Sequence, residues 1–314
     1  GDWSSDVCSS DLVTRNNEYI QIAAQLAPHG KVRTDVPMRG YTSFKTGGNA
    51  DILVEPETVD QVEAITGIAG REGVPLTVIG GGSNLLVGDA GIRGIVMRVA
   101  LDGEDDGHIN AGDNGTVRAH AGVKKSTFIQ YCVKNGLAGI EFMAGIPGCL
   151  GGGIVMNAGT YMGCFSDIID RVTYFVPGKG PVEHTIDRTQ AGYRSMGLPD
   201  GVIVLEALYA LERTGDTVAI KRSVEDIIRD RNQKHPVQYP SAGSVFKNPE
   251  GYSSWKLVND AGLKGKTMGG AMVSDLHTNF IINTGNATSA DIRGMIELVQ
   301  QTVEKQYGIL LHPE

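Results

Sequence analysis

The sequence predicts an α+β protein in two parts, with a break near 213–216 (Arg-Thr-Gly-Asp). Three observations carry this. Before residue 213, short β-like runs are mixed with amphipathic helical stretches. Glycine, 43 of 314 residues, is present at about twice its usual share, and it gathers in loops without any period. After 214 the pattern becomes longer helices alternating with short strands. A chain of this length suits about two or three domains.

Taken in order, residues 1–12 (GDWSSDVCSSDL) are polar and aperiodic, and read as an artefact at the sequence's end. Residues 13–40 read as an N-terminal helical segment: Ile20, Ile22, Ala23 and Leu26 fall at helical spacing, and Pro28 and Gly30 stop the helix. Residues 41–56 combine a glycine turn with a short β-like run. Residues 59–73 form an amphipathic helix with Val62, Ile65, Ile68 and Ala69 on one face. Strands are predicted at 75–79, 94–99 and 116–122, and Leu85-Leu86-Val87 also reads as strand. A helix over 124–136 precedes a glycine-rich stretch, 139–163. Strands follow at 171–176 and 202–212. Beyond the break come helix 221–233, strand 243–247, helix 253–261, strand 279–283, helix 289–307 and strand 308–312. The last helix carries Ile292, Met295, Ile296, Val299 and Val303 on a stripe. Thr288 and Asp291 look like its cap, and Gly308 like its end.

Composition excludes several classes. Hydrophobic residues make up 41% and charged residues 20%, too apolar for a disordered chain. No run of about 18 apolar residues exists, so no membrane-spanning helix is expected. The net charge of −8 argues against a nucleic-acid or anionic-membrane partner. Cys8, Cys132, Cys149 and Cys164 form no C-x-x-C pair, and the histidines share no ligand spacing, so no metal site is expected. Free thiols and the lack of a signal-peptide pattern suit a cytoplasmic protein. A monomer is expected.

Gly80-Gly81-Gly82-Ser83-Asn84 follows a predicted strand directly. Three glycines expose backbone N–H groups, which suits a pyrophosphate. The dinucleotide fingerprint G-x-G-x-x-G fails here, because Leu85 stands where the last small residue belongs. Alone, the loop fits a plain tight turn equally well. A second cluster, Gly145 to Gly153, holds five glycines in nine residues, with Asn157-Ala158-Gly159 beyond. Two such loops are placed to clasp the ends of one dinucleotide.

The motifs FKTGGNA (44–50), VIGGGSNLLV (78–87) and GIEFMAGIPGCLGGGIVMNAGTY (139–161) resemble the flavin-binding half of the UDP-N-acetylenolpyruvoylglucosamine reductase (MurB) family. GYRSM (192–196), YPSAGSVFKNP (239–249), AGLKG (261–265), GGAMVSDLHTNFIIN (269–283) and GILLHPE (308–314) extend the resemblance over about 30–314, in the same order. It implies an FAD-binding domain of the vanillyl-alcohol-oxidase-like (PCMH) type over 41–213, in subdomains of about 41–100 and 101–213. A C-terminal α/β substrate-binding domain would follow over 214–314. It also implies a reaction: NADPH reduces FAD, and the flavin then reduces UDP-N-acetylglucosamine enolpyruvate to UDP-N-acetylmuramate for peptidoglycan synthesis.

The resemblance implies site residues. Arg194 would hold the substrate carboxylate, Ser244 would donate a proton, and Glu314 would help stabilise an enolate, carrying a proton itself. Thr46, Gly80, Gly81, Gly82, Ser83, Asn84, Leu85, Gly145, Ile146, Pro147, Gly148, Gly151, Gly152, Asn157 and Ala158 would contact FAD. Tyr193, Lys234, Lys247 and Asn248 would contact the nucleotide sugar. On residues alone, Arg194 also fits a surface ion pair, Ser244 a turn serine, Glu314 a frayed end and Lys234 a solvated charge. Residues 78–87 hold no His or Cys, which favours non-covalent FAD. The 49 residues after Arg194 are too few for the tyrosine-bearing loop of larger members, so the compact type is expected. The family usually continues past the glutamate, so the final segment is expected to be weakly anchored. The rival readings are an alcohol or sugar oxidase of the same fold and an inactive nucleotide-binding protein.

Overall fold

The computed structural model describes residues 9–100 and 107–314, with side chains from residue 18 onward. The first expectations, on residues 1–12, lie largely outside the described residues. Helix α1 (Ser9–Leu26) leads into strand β1 (Lys31–Pro37). Residues 31–37 were expected to continue a helical segment. They are instead an edge strand, largely exposed, with only Val36 buried, so no apolar alternation marks them.

Strand β1 pairs antiparallel with β2 (Asn49–Glu55). Helix α2 (Val59–Glu72) then crosses to β3 (Leu76–Ile79) and β4 (Ile92–Arg98), and the four strands form one sheet in the order β1-β2-β4-β3. A Thr58–Gln61 capping box starts α2 and left-handed Gly73 ends it, as the sequence signals require. Residues 85–87, expected as strand, join no ladder. Their apolar side chains are covered by packing: Val87 is buried beside the first sheet, and Leu86 packs on the C-terminal core.

A second sheet of five strands has the order β11-β10-β12-β6-β5. Its members are β5 (Ile109–Ala111), β6 (Thr116–His120), β10 (Ile169–Val176), β11 (Gly180–Thr185) and β12 (Ile203–Ala210). Between β6 and β10 lie α3 (Lys125–Lys134), β7 (Leu137–Ala138), α4 (Leu150–Val155), the short hairpin β8 (Gly159–Thr160) and β9 (Gly163–Cys164), and α5 (Phe165–Ile168). Helix α4 runs through Gly151-Gly152-Gly153, a place where composition alone suggests only loop. One large core joins the two sheets, α2 and α3, and centres on residues such as Ile65, Phe128, Phe175 and Tyr209.

After β13 (Glu212–Arg213), α6 (Thr217–Lys234) buries Ile220 and Val224 in that same first core. The rest of the chain forms a separate core from α7 (Ser254–Asp260), α8 (Ser289–Tyr307) and an antiparallel sheet β14-β15-β16. These strands are β14 (Thr267–Met268), β15 (Ala271–Val273) and β16 (Ile281–Asn283). Helix α8 spans the predicted residues. Ile292, Met295, Val299 and Val303 are fully buried, each contributing roughly 1.5–3 kcal/mol.

The strands expected at 243–247 and 308–312 reduce to one bridge, Phe246 to Pro313. The segments still lie side by side, with Lys247 N–H donating to His312 O (2.8 Å) and Glu314 N–H to Val245 O (2.9 Å). The Gln300 amide donates to Leu311 O (2.8 Å). The weak anchoring expected of the final segment is therefore not found. On its other flank, 243–247 is held by a side chain: the Asn279 amide bonds both the N–H and the C=O of Phe246, at 3.0 and 2.9 Å. A side chain does there what a neighbouring strand would do.

Candidate active site

A cavity of about 1680 Å³ lies between the first part of the chain and its C-terminal part. Its floor comes from the loop after β3 and the loop before α4. These loops are 65 residues apart in sequence and touch directly: a Cβ at Gly81 would stand 2.8 Å from Gly148 Cα. Ser83 Oγ donates to Pro147 O at 3.3 Å and ties them further. They form one continuous floor rather than two separate clasps.

This floor fits a flavin dinucleotide on two observations. Among the described residues, no backbone N–H from Gly80 to Asn84 donates to a protein acceptor, and all five residues line the cavity, which leaves donors for an anion. Side chains at Gly80 or Gly152 would meet no protein atom closer than 3.9 Å; both positions line the cavity, and their missing side chains leave room for a ligand.

Gly80, Gly81, Gly82, Ser83, Asn84, Leu85, Gly145, Ile146, Pro147, Gly151, Gly152 and Ala158 all line the cavity. Three expected FAD contacts do not. Thr46 is buried, its hydroxyl against Ser289 Oγ (3.2 Å) near the start of α8. Gly148 packs beneath the floor, where a Cβ would meet Ser83 Oγ at 2.4 Å. Asn157 is buried, its amide donating to Gly192 O (3.1 Å) and accepting from Ser166 N–H (2.9 Å).

Asn157 supports the turn that presents Arg194. Gly192 and Ser195 exchange backbone hydrogen bonds of 2.8 and 3.2 Å, with Tyr193 and Arg194 between them. Arg194 has φ +62°, a place glycine usually takes in such a turn. Its guanidinium packs on the Tyr193 ring at 4.7 Å, and its Nε donates to Glu314 Oε2 at 2.8 Å. Burial works against the Arg194 charge, but the hydrogen bond and charge of Glu314 outweigh it and raise its pKa. Glu314 was expected as a protonated donor; its observed partner is this cation. Its other oxygen, Oε1, is buried and makes no hydrogen bond.

Ser244 also lines the cavity. Lys234 does too, paired with Asp230 at 2.7 Å. The remaining expected sugar contacts lie away from the lining. Tyr193 OH accepts from Asn248 N–H at 3.4 Å, and the Lys247 carbonyl accepts from Ser254 Oγ at 2.6 Å.

Sequence reasoning missed Lys125, Arg231 and His235, which all line the cavity. Burial lowers the pKa of Arg231. His235 stacks on Phe280 at 5.0 Å; burial first, then Arg231 and His277, push it down to about 4. Arg231 and His235 flank Lys234 at the end of α6, so the helical phase of that charged end was the one available signal.

A family model described as UDP-N-acetylenolpyruvoylglucosamine reductase, C-terminal domain, matches residues 235–314. Another, described as FAD binding domain, matches residues 50–185. The chain is 41% identical over 292 residues to UDP-N-acetylenolpyruvoylglucosamine reductase of Alkaliphilus oremlandii, covering 92% of this chain and 94% of that protein. The Geobacillus kaustophilus enzyme of the same name is 39% identical over 300 residues, covering 95% and 96%. Among solved structures, UDP-N-acetylenolpyruvylglucosamine reductase (MurB) from Thermus caldophilus superposes with a TM-score of 0.74 at 31% identity, over 91% of this chain and 98% of that one. Sequence and fold agree over nearly the whole length, and the chain belongs to the UDP-N-acetylenolpyruvoylglucosamine reductase family.

Proposed function

We infer that this protein reduces UDP-N-acetylglucosamine enolpyruvate to UDP-N-acetylmuramate, with NADPH as reductant and non-covalent FAD as cofactor, in peptidoglycan precursor synthesis. One observation supports the reading: Arg194, Ser244 and Glu314, separate in sequence, line the same cavity as the two glycine loops. When bound, the flavin relays hydride from NADPH to the enolpyruvyl double bond.

The chain's own residues do the rest. With Nε engaged by Glu314, Arg194 keeps both Nη groups for the substrate carboxylate, a fork that a guanidinium supplies and an ammonium does not. That cation stabilises the enolate-like carboxylate left when hydride adds to the terminal carbon. Ser244, with no protein hydrogen bond among the described residues, supplies the proton to the adjacent carbon. Glu314, paired with Arg194 Nε, keeps the guanidinium directed at the developing enolate. Lys234 attracts the diphosphate from the cavity wall, while Tyr193, off the lining, backs the Arg194 guanidinium with its ring and accepts from Asn248 N–H beside Lys247.

In this reading residues 41–213 hold the flavin and 214–314 the nucleotide sugar. The protein acts as a cytoplasmic monomer on a small molecule, serving cell-wall growth, cell shape and division. Among the described residues no helix is long and apolar enough to cross a membrane, and the net charge of −8 opposes a nucleic-acid partner.

A flavin spectrum tests it. The purified protein should be yellow, bleach with NADPH, and recover its colour on adding the enolpyruvyl sugar under anaerobic conditions. Acid precipitation should release free FAD. Colour that stays in the pellet and recovers only with oxygen would favour the oxidase reading.

A further inference from the structure

Lys125 is 3% exposed, yet it lines the cavity. It is the first residue of α3, where the helix dipole disfavours a positive charge. Among the described residues its ammonium makes one hydrogen bond, to Pro147 O at 2.7 Å, leaving two of its three donors unused. Burial lowers its pKa to about 8, with Cys149 opposing. A buried cation with spare donors, at the wrong end of a helix, is costly unless an anion sits beside it.

The surroundings say where that anion lies. Pro147 O, which Lys125 holds, also accepts from Ser83 Oγ. Lys125 Nζ and Ser83 Oγ stand 3.4 and 2.4 Å from the point a Gly148 Cβ would occupy. Ser83 belongs to the Gly80–Asn84 stretch, whose N–H groups have no protein acceptor among the described residues. The ammonium therefore lies beside Ser83, whose hydroxyl is already engaged on Pro147 O, and beside the backbone donors of the first glycine loop on the cavity lining, a donor set that suits a phosphate.

We propose that Lys125 is a positioning residue for the cofactor, binding the pyrophosphate of the dinucleotide and joining both glycine loops to it. This rests on the FAD reading above. The same cation also fixes the second loop through Pro147, so cofactor binding and loop order are coupled.

The test is titration of flavin-free protein with FAD and with riboflavin, which has the ring but no phosphate, followed by flavin fluorescence. Lys125→Met should weaken FAD binding roughly 10–100-fold, the loss of a charge-assisted contact, and riboflavin binding by less than about 3-fold. Lys125→Arg should restore most of the FAD affinity. Equal weakening of both ligands, or unchanged FAD binding, would make Lys125 a strut for Pro147 and overturn the proposal. A second measurement does not depend on the variants folding: wild-type protein with 15N-lysine and bound FAD should show a solid-state 15N–31P dipolar contact to one lysine Nζ, and its absence overturns the proposal. Wild-type protein that takes up neither flavin overturns the FAD reading, and this one with it. Tight wild-type FAD binding that survives Lys125→Met overturns this one alone.

Discussion

Arg194 holds a left-handed backbone, φ +62°, that costs a residue with a Cβ roughly 1–2 kcal/mol. Asn157, the Gly192–Ser195 turn and Glu314 together keep it there. Strain at a cavity wall, over-determined from three sides, fits a side chain whose direction matters more than its stability. Arg194→Lys and Ser244→Ala should leave NADPH-dependent flavin reduction near wild type. Each should slow re-oxidation by the enolpyruvyl sugar, Ser244→Ala by about 10²–10⁴-fold. Rapid mixing resolves the two half-reactions, and equal slowing of both would place these side chains in flavin binding instead.

His235 gives a second expectation at this scale. Its folded pKa, about 4, lies below the ordinary histidine value near 6.5. Between those values the unfolded chain binds the proton and the folded one does not. The stability associated with neutral His235 is therefore complete above about pH 6.5 and is lost as pH falls toward 4. Burial sets this first, then the charges of Arg231, His277 and Lys234, with Asp230 opposing. A His235→Gln variant should show a shallower fall of melting temperature over that window. An identical slope in the variant would mean that other groups carry the acid sensitivity.

Among the elements, the glycine loops separate two uses of glycine that composition cannot distinguish. Gly81 and Gly148 are small because two backbones meet there. Gly152 is small because a ligand needs the space. Gly152→Asp points a carboxylate into open cavity from a helical position, where it costs the helix nothing relative to glycine. It should abolish FAD retention while the melting temperature of flavin-free protein moves by less than about 2 °C. Gly81→Ala, by contrast, should lower that melting temperature, since backbone atoms 2.8 Å and 3.1 Å from the new Cβ must move. Differential scanning fluorimetry with and without FAD distinguishes the two. If Gly152→Asp keeps its flavin, the floor is assigned to the wrong ligand.

At the scale of the molecule, two cores are joined by polar contacts around the start of α8. Asp89, from the first part of the chain, accepts from the N–H groups of Ser289 (2.8 Å) and Ala290 (2.9 Å). Ser289 Oγ donates to Val87 O and meets Thr46, and the Asn283 amide donates to Phe44 O at 2.9 Å. A carboxylate at a helix N-terminus is stabilising through both hydrogen bonds and the dipole. Asp89→Ala should cost about 1–2 kcal/mol in urea denaturation, and it should weaken the enolpyruvyl sugar more than FAD, because the cavity walls come from both cores while its floor comes from one. A loss of FAD affinity as large as the loss of sugar affinity would show that α8 supports the floor as well.

Local patterns in the sequence were enough for the parts that fold on local rules. The apolar stripe of α8 with its Thr288 cap, the amphipathic face of α2 and the central strands follow from periodicity and capping chemistry, and the two glycine loops, read as separate clasps, prove to touch one another. Elements without a local signal were illegible: β1 and β11 are exposed edge strands, Leu86 and Val87 are apolar because two cores cover them and not because they pair, and 243–247 is held by the Asn279 amide in place of a neighbouring strand. The site divides in the same way. Motifs named Arg194, Ser244 and Glu314, but nothing near any of them in the chain showed that Arg194 would meet Glu314, that Asn157 would hold the Arg194 turn, or that Lys125 would lie buried beside Ser83. Those are contacts between residues 35 to 120 positions apart; tertiary packing within the first part of the chain brings Asn157 to Gly192 and Lys125 to Ser83, and docking of the C-terminal segment brings Glu314 to Arg194.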